Sequence, residues 1–195
     1  MNAKLREAAA HHEAAHALAA FGQGLRIKYV TILQSDIQPE DHRRIEELGG
    51  IELEGICVYE APEWRGEISE RARIFDEKQI IVTYAGPCGE AKFEGVEAFA
   101  DWTDAVWFGG TDSSQAEALA NRIGTFSCRE GLVWTNAIQE AYLRYCWTVA
   151  RDMVEEFWPT IQAIAAALLR KGTLNHAEVF EVIGSALTIF SERGK

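Results

Sequence analysis

Residues 3–21 read AKLREAAAHHEAAHALAAF and contain no glycine or proline. Alanine, leucine, glutamate and lysine are strong helix formers, so the stretch predicts a helix that Gly22 and Gly24 bring to a stop. Inside it, His12-Glu13-Ala14-Ala15-His16 has the form HExxH. Side chains four residues apart lie one turn above each other on a helix. Both imidazoles therefore project from one face, at a spacing that a single tetrahedral Zn2+ can bridge. Glu13, one step round the helix, sits near such a metal without ligating it, which is where a general base takes a proton from a metal-activated water. His11 points about 100° away from His12 and reads as a neighbour of the site rather than a ligand.

Working outward, Ile27 to Leu33 is short and β-branched and reads as a strand, with one edge left open where an extended peptide can add. The polar stretch Gln34 to Gly50 reads as a loop containing His42, and Ile51 to Tyr59 as a second strand pairing with the first. A helical period runs from Glu67 to Phe93, with Gly86-Pro87 interrupting or kinking it. Residues 94–111, with Phe99, Trp102, Trp107 and Phe108, read as an irregular aromatic loop that either lines a groove or belongs to a core. A further helix covers Ser113 to about Cys128, capped by Thr111 or Asp112. Others cover Thr135 to Phe157, Thr160 to Arg170, and a last segment that Asn175-His176-Ala177-Glu178 opens as a capping box. The expectation is one domain over residues 1–195, mainly α (α+β), with a small two- or three-stranded sheet after the HExxH helix.

Composition narrows the function. The chain has 195 residues, 19 Lys+Arg against 30 Asp+Glu, and a formal charge of -11. That field repels phosphate backbones and anionic membrane surfaces, so neither nucleic acid nor membrane is expected as a partner. No apolar run approaches the roughly 18 residues of a membrane span. Cys57, Cys88, Cys128 and Cys146 stand singly, as buried reduced thiols of a cytoplasmic protein.

A catalytic zinc site commonly takes three protein ligands and keeps one position open. The longer motif with a third histidine six residues beyond His16 is excluded, because that position is Gly22. A downstream carboxylate remains. The segment His12 to Leu18 with the following Lys28-Tyr29-Val30-Thr31-Ile32, the stretch Tyr84-Ala85-Gly86-Pro87-Cys88-Gly89-Glu90-Ala91, and Gly110-Thr111-Asp112-Ser113-Ser114-Gln115-Ala116-Glu117-Ala118-Leu119-Ala120 together resemble the peptidase domain of the FtsH-type ATP-dependent zinc proteases. Ala163 to Leu169, Leu174 and Glu178-Val179 follow its closing helices. The resemblance implies a zincin-like peptidase fold. It implies Zn2+ held by His12, His16 and Asp112, with Glu13 as catalytic base and Glu90 placed to hydrogen-bond a ligating imidazole.

Departures accompany it. Ala15 replaces a usual glycine, Gly86-Pro87-Cys88-Gly89 replaces a more regular helical stretch, and the aromatic segment from Glu94 to Phe108 is longer. No GxxxxGK[ST] motif or membrane anchor is present, so a stand-alone peptidase without a motor is expected. Its substrates would be flexible or unfolded polypeptides, some delivered by a separate unfoldase or adaptor. Two other readings stay open: a metal-binding or regulatory module of the same fold without catalysis, and a helical protein whose histidines bind no metal.

Overall fold

The helix expected over residues 3–21 forms as α1, Ala3–Gly22, in the computed structural model, which describes residues 3–41, 55–63, 68–96 and 110–193. Gly24 adopts a left-handed φ of 70°, which turns the chain so that Leu25 N–H reaches Ala20 C=O at 2.8 Å and closes the helix end. The chain continues through β1 (Ile27–Thr31), a 3-10 turn (Gln34–Asp36), β2 (Ile56–Tyr59), α2 (Glu70–Glu94) and α3 (Gly110–Arg129). Then come α4 (Asn136–Glu156), α5 (Trp158–Lys171), β3 (Thr173–Asn175) and α6 (His176–Arg193). The result is a mainly helical α+β fold with a small antiparallel sheet. No helix among the described residues is long and apolar enough to cross a membrane.

α1 is buried on almost every side because its faces are built of alanine. Ala10, Ala14, Ala17 and Ala20 are fully buried, and their small side chains let α2 and α5 pack closely against it. From those helices Ile80, Ile161, Ile164 and Leu168 fill the space, each fully buried. Removing such a side chain from water is worth roughly 1.5–3 kcal/mol. One hydrophobic cluster runs from Ala10 to Ile183 and joins every helix to the sheet.

Several local expectations need correction. β1 has no open edge: the strand order is β2-β1-β3, with Val30 opposite Cys57 on one side and Leu174 on the other. β3 fills the second side because Gly172, at φ 82°, turns the chain out of α5 straight into a strand, and its carbonyl accepts from Ile32 N–H at 3.0 Å. Among the described residues β2 and β3 form the two outer edges of the sheet. α2 is not interrupted, and Pro87 lies inside a continuous helix capped by Ser69, whose side chain accepts from Ala72 N–H. α3 starts at Gly110, so Asp112 sits in its first turn rather than at its cap. A carboxylate there faces the positive end of the helix dipole.

Other expectations hold. The helix expected from Thr135 forms as α4, with Thr135 at its cap, and Asn175 and Glu178 exchange the two hydrogen bonds of a capping box at 3.1 and 2.9 Å. Of the four cysteines expected to be buried, Cys88 and Cys146 are, but Cys57 is only half-buried and Cys128 is exposed near the end of α3, which corrects the expectation for those two. The His176 Nδ1–H donates to Ile27 C=O at 2.8 Å and its ring lies against Phe180. His42, Phe99, Trp102, Trp107 and Phe108 fall outside the described residues.

The α2–α3 contact that positions Asp112 contains a buried carboxylate. Asp76 is 2 % exposed, receives Gln79 Nε2–H at 3.4 Å and pairs with Arg122 Nε at 3.4 Å. Burial pushes its pKa up from 3.8 to about 6, with Arg122 opposing the shift. Between those values the folded chain holds a proton that the unfolded chain has released. Stability therefore falls as pH rises through the window, by at most about 3 kcal/mol. Asp76→Asn is expected to raise the melting temperature at pH 7.5 and to lose that advantage near pH 4. Thermal melts at both pH values check this, and an equal change at both would contradict it.

Candidate metal centre

The site is assembled by three helices. α1 contributes His12, Glu13 and His16, α2 crosses beneath their rings, and α3 brings in Asp112 from its first turn. His12 Nε2 and His16 Nε2 lie 3.0 Å apart. Asp112 Oδ2 is 3.2 Å from the first and 3.7 Å from the second. These three donor atoms form a group able to hold a metal ion. A tetrahedral ion with bonds of about 2.05 Å spaces its ligands about 3.3 Å apart, close to the separations found here.

The other ring nitrogens establish why the three atoms need a cation among them. His16 Nδ1 is 2.7 Å from Val82 O, and a carbonyl can only accept, so Nδ1 carries the hydrogen. His12 Nδ1 is 2.8 Å from Glu90 Oε2. The hydrogen bond from His12 lowers the Glu90 pKa against its partial burial, so the carboxylate is ionised and accepts as well. Each imidazole thus turns Nε2 toward the centre, where the Asp112 carboxylate also points. Three electron-rich atoms at this spacing repel one another unless a metal ion or protons sit among them.

The charge balance agrees with that arrangement. Burial alone would pull the His12 pKa down, but Asp112 and Glu90 outweigh it and hold it well above 6.5. Burial alone would raise Asp112, yet the neighbouring imidazoles of His16 and His12 hold its carboxyl far below the usual range. Glu13 behaves differently. It is 6 % exposed, burial pushes its pKa up, and the two imidazoles pull it only part of the way back. Its Oε2 is buried with no hydrogen-bond partner among the described residues. A buried carboxylate oxygen left without a donor is costly, and such atoms occur where a bound species completes the site.

The structure thus brings together all four residues expected for the chemistry, His12, Glu13, His16 and Asp112, and adds Glu90 in the supporting place. His11 stays apart: its ring stacks on Phe93 at 4.3 Å and on Trp158 at 5.4 Å, and its Nδ1–H donates to Glu7 C=O. Three contributors were not visible in the sequence. Val82 acts through its carbonyl, which its side chain does not advertise. Gly55, just before β2, lies so close to Glu13 that a Cβ there would come 2.6 Å from Glu13 Cγ. Cys57, on β2, also lies within reach of the Glu13 charge, and burial with that charge drives its thiol pKa well up. A glycine preceding a strand was the available signal for Gly55, but nothing local tells which side chain it must clear.

The chain matches no protein-family model, and no curated protein matches it.

Proposed function

We propose that the protein is a zinc-dependent metallopeptidase, similar in architecture to the FtsH-type peptidase domain, that hydrolyses peptide bonds in flexible or unfolded polypeptides. The observation that carries this reading is the convergence of two Nε2 atoms and one carboxylate oxygen beside a buried, unpartnered Glu13 carboxylate. A two-nitrogen, one-oxygen set of borderline donors suits Zn2+ and leaves a fourth position for substrate or water. When bound, zinc supplies Lewis acidity, polarising the scissile carbonyl and making water a better nucleophile at neutral pH.

The residues of the chain do the rest. His12, His16 and Asp112 would hold the ion, while Glu90 and the Val82 carbonyl keep both imidazoles in the tautomer that frees Nε2. Glu13 accepts the proton of the attacking water and returns it to the leaving amine. Its upward pKa shift brings it nearer to the working pH of a general base. Peptide is supplied along the sheet. Among the described residues β2 is an edge strand, its neighbour Gly55 adjoins Glu13, and an extended chain adding to that edge would present its backbone next to the base. Edge pairing recognises backbone rather than side chains, which fits unfolded segments, exposed loops or chains delivered by a separate unfoldase or adaptor.

The reading without catalysis rests on the altered Gly86–Gly89 segment, the long aromatic loop and the lack of a motor motif; the first of these stays helical beneath the imidazoles, and the loop falls outside the described residues. The direct test is metal analysis after purification without a histidine tag, together with a fluorogenic peptide library assayed with and without chelator. The expected result is about one zinc per chain and turnover that chelation abolishes and zinc restores. A chain without zinc, or with zinc but no chelator-sensitive turnover, would overturn it.

A further inference from the structure

Gly86 lies in the interior of α2 with an ordinary helical backbone, since among the described residues the left-handed glycines are Gly24, Gly95, Gly131 and Gly172. Glycine weakens a helix relative to alanine, so its presence here has no conformational reason. The reason lies in what sits above it. A Cβ on Gly86 would come 2.6 Å from His12 Nε2 and closer still to His16 Nε2 and Cε1. Those rings cannot swing aside freely, because each is tied at its far nitrogen, His16 to Val82 O and His12 to Glu90 Oε2.

The two ties and the gap form one stripe. Val82, Gly86 and Glu90 are spaced four residues apart along α2, as His12 and His16 are along α1. The stripe therefore offers an acceptor, an empty place and an acceptor. The acceptors turn both Nδ1 atoms toward α2, and the empty place lets both Nε2 atoms meet over the helix backbone.

We propose that Gly86 is a positioning residue of the metal site: its missing side chain is what allows the two imidazoles to converge on one ion. The inference rests on the metal-binding reading above and deepens it. It also inverts the meaning of the Gly86-Pro87 departure, which becomes part of the cradle rather than damage to it. Gly89, one turn on, is a different kind of glycine, because a Cβ there would meet Ala15 Cβ at 2.5 Å and the His11 carbonyl at 2.9 Å, away from the rings. Gly184, in α6, has open space around it.

The test compares Gly86→Ala, Gly89→Ala and Gly184→Ala by far-ultraviolet circular dichroism, by titration with Co2+ followed through its visible absorption, and by 15N imidazole spectra of the metal-free protein. Gly86→Ala is expected to keep its helix content, to lose at least about 100-fold in Co2+ affinity and to scatter the Nδ1–H tautomers of His12 and His16. Gly184→Ala is expected to lose none, whereas Gly89→Ala, whose Cβ would press on Ala15 Cβ and the His11 carbonyl of α1, is expected to lower the melting temperature and weaken Co2+ binding while leaving the Nδ1–H tautomers fixed. Parent-like Co2+ binding in Gly86→Ala, tautomers scattered as much in Gly89→Ala as in Gly86→Ala, or a Gly86→Ala chain that does not fold would each overturn the positioning role. A parent that takes up no Co2+ but whose tautomers are fixed, and are lost in Gly86→Ala, would count against the metal and uphold the role of Gly86.

Discussion

Glu13→Gln is expected to retain zinc and lose peptide cleavage. The substitution keeps the shape of the side chain and removes one property, the ability to take up a proton. Metal retention follows from geometry, because the ligand group is His12, His16 and Asp112, and Glu13 is not part of it. Loss of turnover follows from chemistry. Glu13 Oε2 is buried without a donor among the described residues, so in the parent it is free to receive a proton from a water nearby. An amide in its place has no basic oxygen at neutral pH. General-base contributions are about 10²–10⁴-fold, and among the described residues the two other carboxylates at the site are committed: Glu90 is engaged by His12 Nδ1 and Asp112 faces both Nε2 atoms. A fall of about 10³-fold in both kcat and kcat/KM is expected, because the interaction is made only as the reaction proceeds. The zinc content of the variant, measured beside its turnover, separates loss of the base from loss of the site. Cleavage at parent rates by Glu13→Gln would remove Glu13 from the mechanism.

What the sequence disclosed and what it hid divide along one physical line. α1 was legible because its helix propensity, its HExxH spacing and its glycine stop all lie within about twenty residues. The Asn175–Glu178 capping box was legible for the same reason, since it is completed within four residues. β3 was not, because Thr173-Leu174-Asn175 is too short to show a period and becomes a strand only by pairing with β1, far earlier in the chain. The same pairing reversed the reading of β1 as an open edge. Gly86-Pro87 was read as an interruption or a kink because the proline ring and missing N–H disfavour a helix locally. The packing of α2 between α1, α3 and α4 carries the helix through, and no window of sequence contains that information. At the site, His12, Glu13 and His16 follow from spacing, whereas Asp112 sits on another helix and was reached through resemblance alone. The parts that no resemblance supplied are the ones that work through backbone or absence: the Val82 carbonyl and the gap at Gly86.

Asp112→Asn is expected to lose both metal and activity, and its comparison with Glu90→Gln decides which carboxylate completes the ligand group. Both residues contact His12, on opposite nitrogens. Asp112 Oδ2 is 3.2 Å from Nε2, on the side where His16 Nε2 also points, while Glu90 Oε2 is 2.8 Å from Nδ1, on the side of α2. Only the first can share an ion with both imidazoles. Replacing Asp112 by its amide removes the negative charge that the centre needs to balance a divalent cation, and substitutes a much weaker donor. Replacing Glu90 by its amide leaves a carbonyl oxygen that still accepts from Nδ1–H, so the tautomer survives and only the basicity of the imidazole falls. Losses of about 10–100-fold in metal affinity are usual when a partner of this second kind is removed. Glu90→Gln is expected within that range, with zinc still bound at micromolar concentrations of protein. Asp112→Asn should exceed it, emptying on dialysis and showing no chelator-sensitive turnover. Competition for zinc against a chromophoric chelator measures both. Should the order come out reversed, with Glu90→Gln empty and Asp112→Asn loaded, the ion would belong on the Nδ1 side of His12. The convergence of the two Nε2 atoms would then have to be held together by a proton in place of a metal.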